Sequence, residues 1–427
     1  MLANRKMKDS GIEWIGEIPE DWKVSKIKNY CTSIYAGGTP DTLNPLYWNG
    51  DIHWIPSGSC HDEKIYNAPK SITSLGYDNS STKLIPKNTA VMAMTGATCG
   101  NTGYLTFDSC ANQSVTAFVS GNNSNSLYLW YLLQASKEHL ITFKTGGAQS
   151  GVNVEDCKNI FVPIVPISEQ QKIADFLDEK CSHIDSVLEK TRASIDEYKQ
   201  LKQSVITQTV TKGIRPNRPM KDSGNLWFGE IPSDWNMYKT KYLFSIKKDI
   251  AGKEGFTILS ITQRGVVPKD ISKNEGQLAD NYSNYQLVAK GDFAMNHMDL
   301  LTGWIDISKY YGVTSPDYRV FVLDRKDLCD CNFYLYLMQM CYFNKIFYGL
   351  GQGVSNLGRW RLQADKFLNF RLPLPSLEEQ QEIVKYLEVK YSEIDKLIEK
   401  KEQLVEELEA YKKSLIYEYV TGKKEVI

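Results

Sequence analysis

The chain has 427 residues and a formal net charge of −1, with 42% hydrophobic and 24% charged residues. This composition supports several domains with apolar cores and excludes a chain that is disordered throughout. No apolar run reaches the roughly 18 residues of a membrane-spanning helix, so we expect no membrane association. Nine cysteines without a C-x-x-C pair favour free, mostly buried thiols in a reducing cytoplasm.

A sixteen-residue motif, which we call the joint motif, occurs near the start of the chain and again 213 positions later. It reads MKDSGIEWIGEIPEDW at 7–22 and MKDSGNLWFGEIPSDW at 220–235, with twelve identical positions. Identical text cannot distinguish two different ligands, so we expect a structural joint and not a reading element. If the two long helices described below are antiparallel, Trp14 and Trp22 should lie near residues 410–422.

The segment at 24–160 is predicted to be a mixed α+β globule. The runs TAVMAM and SVTAFV indicate strands, SLYLWYLLQA indicates a helix, and a glycine-rich loop follows at 145–153. His53, Cys60 and His61 hint at a metal site, but no second cluster at ligand spacing accompanies them. We therefore expect no metal here.

A second repeat predicts two long helices. EQQKIADFLDEKCSHIDSVLEK at 169–190 matches EQQEIVKYLEVKYSEIDKLIEK at 379–400, and both copies follow proline-rich text. Sustained 3-4 heptad spacing favours an antiparallel coiled coil between them over two ordinary amphipathic core helices.

The capping and seam positions of these helices follow from the same repeat. Ser168 with Gln171, and Ser376 with Glu379, have the spacing of capping boxes. The predicted seam positions are Leu177, Cys181, Ile184, Leu188, Thr191, Ile195, Tyr198, Lys202 and Val205 in the first helix, and Leu387, Tyr391, Ile394, Ile398, Lys401, Val405, Leu408, Lys412 and Leu415 in the second.

The segment at 237–370 is a second predicted α+β globule, with the same plan but little shared sequence. FTILSI and YRVFVL indicate strands, NFYLYLMQMCYF indicates a helix, and a glycine-rich loop follows at 349–360. Residues 236–370 carry 17 basic and 13 acidic side chains, whereas residues 24–160 carry nine of each. Any nucleic-acid surface is therefore expected to be a local patch on a nearly neutral body.

Together these elements predict an α+β chain, in which two globular α/β domains are joined by two long antiparallel coiled-coil helices with pseudo-two-fold symmetry. A helix of about 40 residues is about 60 Å long, so the second helix is expected to return beside the first. The predicted domains are a first globular domain at 1–160, a central helix at 161–215, a second globular domain at 216–370 and a C-terminal helix at 371–427.

The motifs of common enzymes are missing from the sequence. The phosphate loop G-x-x-x-x-G-K-[ST], the G-x-S-x-G elbow and H-E-x-x-H do not occur, and SPDY at 315–318 lacks the second proline of an amino-methyltransferase tetrapeptide. Asp317 with Asp324 and Lys326 resembles a metal-nuclease spacing, but the residues between are typical of an ordinary strand. We predict a non-catalytic chain that holds no cofactor.

Both globules carry loop residues of the types that read DNA bases, namely small residues for close approach and amide or guanidinium groups for bidentate contacts. The same residue types also cap turns or face solvent, so each has an ordinary structural alternative. The candidate DNA-binding residues of the first globule are Thr39, Ser57, Lys64, Thr95, Thr98, Asn101, Gln113, Lys144, Gln149 and Ser150. Those of the second are Gln263, Arg264, Asn296, His297, Tyr318, Gln352, Ser355, Asn356, Arg359 and Arg361.

The chain resembles the specificity subunits of type I restriction-modification systems over nearly its whole length. The joint motif has the form D-S-G-x-x-W-x-G-x-I-P-x-x-W in both copies, and both long helices begin with E-Q-Q after proline-rich text. AGGTPDTLNPLYWNGDIHWI at 36–55 and GVTSPDYRVF at 312–321 resemble segments common in the target recognition domains of that family.

The resemblance implies a non-catalytic subunit that recognises double-stranded DNA. In that family, each target recognition domain reads one half of a bipartite, asymmetric sequence, and the paired helices set the unspecified spacer. Two methyltransferase subunits supply S-adenosylmethionine binding and adenine methylation, and two restriction (motor-nuclease) subunits that use ATP and Mg can join one copy of the specificity chain. The resemblance transfers no individual base contact, because the globules vary with their targets.

Two alternatives stay open at the level of sequence. A structural coiled-coil scaffold with ligand-binding globules explains the helices, but not why two unlike globules share one duplicated frame. A stand-alone restriction-modification enzyme would need catalytic motifs that the sequence lacks. Duplex DNA binding that falls steeply with salt would distinguish a DNA reader from a scaffold.

Overall fold

The computed structural model describes residues 5–144, 151–270, 281–353 and 360–426. The chain divides into two compact units: unit 1 comprises Met1–Thr191 with Gln403–Ile427, and unit 2 comprises Arg192–Glu402. Each unit therefore contains one globule, one joint motif and a part of each long helix.

The helices include both predicted long helices and both predicted apolar helices. They are α1 (Ser74–Asp78), α2 (Ser126–Ala135), α3 (Lys137–Ile141), α4 (Val154–Lys158), α5 (Ile167–Lys212), α6 (Cys331–Phe343), α7 (Ile346–Leu350), α8 (Ala364–Asn369) and α9 (Leu377–Val420). The Asn125 and Asp330 side chains cap α2 and α6 by accepting from first-turn amides. Within the described ranges, every helix is too short or too polar to cross a membrane.

Unit 1 is built around a five-stranded sheet of order β4-β11-β8-β9-β6. The predicted strands at TAVMAM and SVTAFV are β8 and β11, which lie next to each other inside this sheet. The strands of this unit are β1 (Met7–Asp9), β2 (Glu17–Pro19), β3 (Lys23–Lys26), β4 (Cys31–Ala36), β5 (Trp48–Ile55), β6 (Glu63–Ile65), β7 (Lys70–Ile72), β8 (Ala90–Ala93), β9 (Thr102–Leu105), β10 (Cys110–Ala111), β11 (Val115–Ser120) and β12 (Phe161–Ile164). A smaller sheet has the order β10-β5-β7, and β1–β2 and β3–β12 form two-stranded ladders.

Unit 2 repeats this plan around a four-stranded sheet of order β16-β23-β20-β21. Its strands are β13 (Met220–Asp222), β14 (Glu230–Pro232), β15 (Asn236–Lys239), β16 (Phe244–Lys247), β17 (Leu259–Thr262), β18 (Gly265–Pro268), β19 (Gln286–Val288), β20 (Phe293–Met295), β21 (Ile305–Ile307), β22 (Gly312–Thr314), β23 (Arg319–Leu323) and β24 (Arg371–Leu374). The pairs β13–β14, β15–β24, β17–β18 and β19–β22 complete the unit.

The two main sheets have strands in equivalent positions, so individual residues can be matched between the units. β4, β11, β8 and β9 of unit 1 correspond to β16, β23, β20 and β21 of unit 2 in order and in antiparallel pairing. Met92 of β8 pairs with Thr102 and Thr116, and Met295 of β20 pairs with Ile305 and Arg319. Thr116 and Arg319 therefore occupy the same place in the fold, and one is neutral where the other is charged.

Apolar helices α2 and α6 supply much of each core. Tyr128, Leu132 and Leu133 of α2 are fully buried, as are Phe333, Tyr334 and Leu337 of α6. The clusters also include side chains from the beginning of α5 in unit 1 and of α9 in unit 2. All nine cysteines are free and seven are buried, as the sequence predicts.

The long helices pair antiparallel within each unit, as predicted. In unit 1, Asp185 of α5 binds Lys412 of α9 over 2.6 Å, and the Phe176 ring packs on that of Tyr419. In unit 2, Lys202 binds Asp395 over 2.7 Å. The predicted seam positions are all buried or half-buried in both helices.

The predicted capping boxes are not formed as expected. In α9 the Ser376 hydroxyl accepts from the Glu379 amide over 3.3 Å, but the Glu379 carboxylate binds other groups. The prediction for α5 is wrong, because this helix already begins at Ile167 and Ser168 lies within its first turn. The Gln171 carboxamide instead accepts from Asn125, ahead of α2.

The joint motif folds into the same hairpin in both units and holds the ends of both helices. In unit 1 the Trp22 indole N–H donates to Glu169 of α5 over 3.1 Å, and the ring lies against Gly422 just after α9. In unit 2 Trp235 donates to Glu379 of α9 over 3.0 Å, and its ring lies beside Gly213 after α5. Both glycines have positive φ, which ends each helix.

Of the two tryptophans of the first joint motif, only Trp22 makes the predicted contact with the end of α9. The predicted approach of Trp22 to residues 410–422 is confirmed. Trp14 instead donates to the Phe161 carbonyl over 3.1 Å and stacks on His139. Its neighbour Ile15 makes the contact to the helix end, because the Ile15 carbonyl accepts from the Tyr417 hydroxyl over 3.1 Å.

Candidate nucleic-acid interface

A cleft of about 590 Å³ opens in unit 2 at the end of β20 and the beginning of β23, and we call it the cationic cleft. Three residues predicted from sequence, His297, Tyr318 and Arg361, line it. The other polar residues of its lining are Lys247, Lys248, Gln286, Arg319 and Gln363.

Arg319 is the most unusual side chain of the cationic cleft. It is 5% exposed, it donates from Nη2 to the Leu362 carbonyl over 2.8 Å, and its guanidinium lies over the Phe367 ring at 5.0 Å. Among the described residues, its buried Nη1 has no hydrogen-bond partner. Burial lowers the pKa of Arg319 to about 10, so the group is still charged at neutral pH.

His297 lies beside this guanidinium and is itself 5% exposed. Burial, together with the charges of Arg319 and Arg361, lowers the pKa of His297 to about 3. The imidazole is therefore neutral at physiological pH, with one nitrogen able to donate and one able to accept. Its Nδ1 is buried and has no partner within the part of the chain that the structure describes.

A frame of carboxamides and backbone pairs shapes the cleft. The buried Gln286 side chain donates to the Ser315 and Tyr318 carbonyls over 2.9 and 2.6 Å. The backbones of Gln352 and Arg361 pair through two hydrogen bonds of 3.0 and 3.1 Å, and the Leu362 amide donates to the His297 carbonyl. These bonds hold Gln352, and the residues that follow the predicted glycine-rich loop, at the cleft.

Lys247 contributes little free charge to the cleft, because its ammonium binds the buried Asp292 carboxylate over 2.8 Å. The side chains of Lys248 and Arg361 are exposed at the cleft. The cleft therefore combines one buried guanidinium, two exposed cations and a neutral imidazole.

The remaining candidates of unit 2 lie elsewhere. Gln263 and Arg264 form the exposed turn between β17 and β18. The Asn296 side chain accepts from the Met298 and Asp299 amides and so fixes its own turn. Ser355, Asn356 and Arg359 lie outside the described residues.

The candidates of unit 1 are distributed over several loops. The Thr39 hydroxyl donates to the Gln113 carboxamide oxygen, so these two candidates are joined by a hydrogen bond between their side chains. Thr95 and Thr98 lie in the loop after β8, as Asn296 and His297 lie in the loop after β20, and Asn101 donates to the Cys60 carbonyl.

Three further candidates of unit 1 have their own surroundings, and two lie outside the description. Ser57 begins a short 3-10 turn, Lys64 binds Asp178 of α5 over 2.6 Å, and Lys144 follows α3. Gln149 and Ser150 lie outside the described residues. Contact with DNA stays a prediction for every candidate.

Reasoning from sequence missed Arg319, Gln286, Gln363 and Lys248. Arg319 did carry a signal, since YRVFVL places one arginine in an otherwise apolar strand. Gln286 and Gln363 had none, because their roles depend on loops brought together by the fold.

Comparison with known proteins identifies the family. The model of the type I restriction modification DNA specificity domain matches residues 19–196 and, a second time, residues 232–407. The chain belongs to this family. Two copies of the family's domain thus coincide with the duplicated plan of the fold, and membership of the family implies DNA sequence recognition.

Two relatives in this family come from Methanocaldococcus jannaschii. The chain is 25% identical over 386 residues to the type I restriction enzyme MjaVIII specificity subunit of Methanocaldococcus jannaschii, covering 87% of this chain and 86% of that one. It is 31% identical over 180 residues to the MjaIX specificity subunit of the same organism, a match that spans 41% of this chain and only 40% of that relative. A chain in a solved structure concerned with complex assembly and conformational transition of the type I R-M system shares the fold, with a TM-score of 0.69 at 15% identity, over 95% of this chain and 99% of that one.

Proposed function

We propose that the chain is the DNA-recognition subunit of a type I restriction-modification complex, and that each globule reads one half of a bipartite, asymmetric site. The proposal rests on one observation: the joint motif makes the same contacts in both units, while the globules differ. The Trp22–Glu169 and Trp235–Glu379 bonds agree within 0.1 Å, yet the same sheet position holds Thr116 in one unit and Arg319 in the other. A shared frame with unlike surfaces supports two different half-sites.

The long helices are proposed to set the spacer between the half-sites and to bind two methyltransferase subunits. Large apolar side chains exposed on α5 and α9 support a protein-binding role, because solvent-facing helix positions are usually polar. These side chains are Leu201, Tyr386, Val389, Leu397, Leu404 and Tyr411.

The chemistry is proposed to belong to the partners. The methyltransferase subunits would bind S-adenosylmethionine and methylate adenine, and two restriction subunits would use ATP and Mg, with one copy of this chain per complex in the cytoplasm. Membership of a specificity-subunit family, which is generally non-catalytic, supports this division.

Genome-wide mapping of adenine methylation tests the proposal. The cognate methyltransferase is expressed with and without this chain in a host that lacks other adenine methylation. We expect a bipartite methylated motif only when the chain is present. If the methylated positions are the same in both strains, the chain does not direct recognition, and a scaffold role gains support.

A further inference from the structure

Arg319 of the cationic cleft is a buried charge for which the described residues supply no carboxylate partner. A buried guanidinium is normally compensated by a carboxylate, because an unpaired charge inside a protein is costly. The pKa of Arg319 is lowered by burial, raised by Tyr342 and lowered by the like-charged Arg361. Among the described residues, no carboxylate contributes to it. Its one hydrogen bond is to a backbone carbonyl, and Nη1 has no acceptor in that part of the chain.

The neighbouring groups narrow the class of ligand. His297 is neutral and offers one buried ring nitrogen, while Arg361 and Lys248 are exposed at the same cleft. Donors and cations in excess of acceptors suit an anion whose oxygens are acceptors only. Guanidinium groups bind phosphate oxygens with good geometry and charge-assisted hydrogen bonds.

Unit 1 shows that the fold does not require an arginine at this place. Thr116 occupies the equivalent position and is fully buried. The local segment of unit 2 also has an excess of basic residues, whereas that of unit 1 is balanced. The charge in the cationic cleft is therefore specific to the second globule.

We propose that the cationic cleft of unit 2 binds a phosphate of the DNA backbone, with Arg319 and Arg361 as its principal ligands. The DNA source of the phosphate rests on the proposed function; the phosphate chemistry does not. The contact orients the second globule on its half-site without reading a base, since phosphate contacts position a protein on DNA and base contacts specify the sequence.

Two measurements on the full-length chain separate phosphate binding from DNA binding. Inorganic phosphate is titrated by calorimetry at low salt. Duplex DNA of mixed sequence is titrated at several salt concentrations to give the slope of log affinity against log salt. We compare the wild type with R361Q, R319V and the matched control R325Q, whose arginine is exposed, binds Asp327 and does not line the cleft.

R361Q and R319V are each expected to weaken inorganic phosphate binding at least tenfold and to reduce the magnitude of the salt slope by about 0.9, the value for one lost phosphate contact. R325Q should behave as the wild type. R319V replaces the guanidinium by an uncharged side chain with the shape of threonine, which unit 1 has at the equivalent position, Thr116. The exposed Arg361 provides a second variant should R319V fail to fold.

The other outcomes overturn the proposal in distinct ways. Loss of inorganic phosphate binding with an unchanged salt slope would mean that the cleft takes a free phosphate compound and not DNA. Unchanged binding of both ligands in both variants would mean that the cleft holds only water. A wild-type chain that binds phosphate but no duplex would refute the proposed DNA-recognition function and the DNA source together, and would leave only the phosphate chemistry.

Discussion

The Trp235 indole N–H donates to the Glu379 carboxylate over 3.0 Å, and this bond fixes the second joint motif to the first turn of α9. Arg218 binds the same carboxylate, which is almost completely buried. In unit 1, Trp22 and Arg5 bind Glu169 in the same way at the first turn of α5. The repeated text thus encodes a repeated contact between a tryptophan, an arginine and a glutamate.

Removing the indole donor should destabilise unit 2. W235F deletes a hydrogen bond to a charged group and leaves a small cavity, so we expect a loss of about 2–4 kcal/mol in the free energy of unfolding. Urea titration followed by circular dichroism measures it. W227F is the control, because Trp227 is partly exposed, and it should cost less than 0.5 kcal/mol or so. Equal losses in the two variants would contradict the proposed role of the bond.

Replacement of Glu379 should lower the free energy of unfolding more than replacement of Glu169, because Glu379 is more deeply buried. The Glu379 side chain is 3% exposed and that of Glu169 is 22% exposed. E379Q removes the buried one of the two carboxylates that bind the mostly buried Arg218, and leaves only the exposed Asp234. It should lower the free energy of unfolding by about 3 kcal/mol, whereas E169Q should lower it by about 1 kcal/mol. The same urea titration compares them. A larger loss for E169Q would show that solvent does not screen the first joint as we expect.

Much of the frame was predictable from sequence, because repeats and heptads report directly on geometry. The antiparallel helices expected from the repeats predicted the approach of Trp22 to the end of α9, and its contact with Gly422 confirms this approach. The partner at the other helix was not predictable, since Glu169 and Glu379 are two among many carboxylates near a helix start. The capping box predicted at Ser168 was wrong, because the spacing to Gln171 fits a cap but the helix already begins at Ile167.

The candidate site was less predictable because it depends on loops that meet only in the fold. His297, Tyr318 and Arg361 were selected for their chemistry and do line one cleft. The feature that gives this cleft its character is Arg319, which lies in an apolar strand and has the appearance of a core residue in the sequence. Its role became apparent only from the structure, in which the equivalent position of unit 1 is the neutral Thr116.

The buried His297 should make unit 2 sensitive to acid. Its pKa is about 3 in the folded chain and 6.5 ordinarily, so between these values the unfolded chain binds a proton that the folded chain does not. Stability is therefore lost as the pH falls through this window, by up to about 2 kcal/mol at pH 5. H297Q should narrow the difference in free energy of unfolding between pH 7 and pH 5 by about that amount.

The control for this pH effect is H183Q, at an exposed histidine of α5. We expect it to leave the difference between pH 7 and pH 5 as in the wild type. An H297Q variant that is as acid-sensitive as the wild type would show that His297 is solvated and not kept neutral by burial and by the charges of Arg319 and Arg361.

Lys64 should act in the structure of unit 1 and not in DNA affinity, because Asp178 already binds its ammonium. K64Q is expected to lower the free energy of unfolding by at most about 1 kcal/mol, with D178N giving a similar loss and the double variant adding little. The salt slope of duplex binding should stay within error of the wild type. A slope reduced by about 0.9 would instead show that Lys64 leaves Asp178 and contacts a phosphate.

Exchange of the second globule, with the joint motifs and the long helices kept, tests whether each globule reads one half-site. Residues 236–370 are replaced by the corresponding segment of another type I specificity subunit, and adenine methylation is mapped with the cognate methyltransferase present. We expect a new bipartite motif in which one half-site has changed and the other half-site is retained. A motif in which both halves change, or in which neither changes, would contradict the assignment of one half-site to each globule.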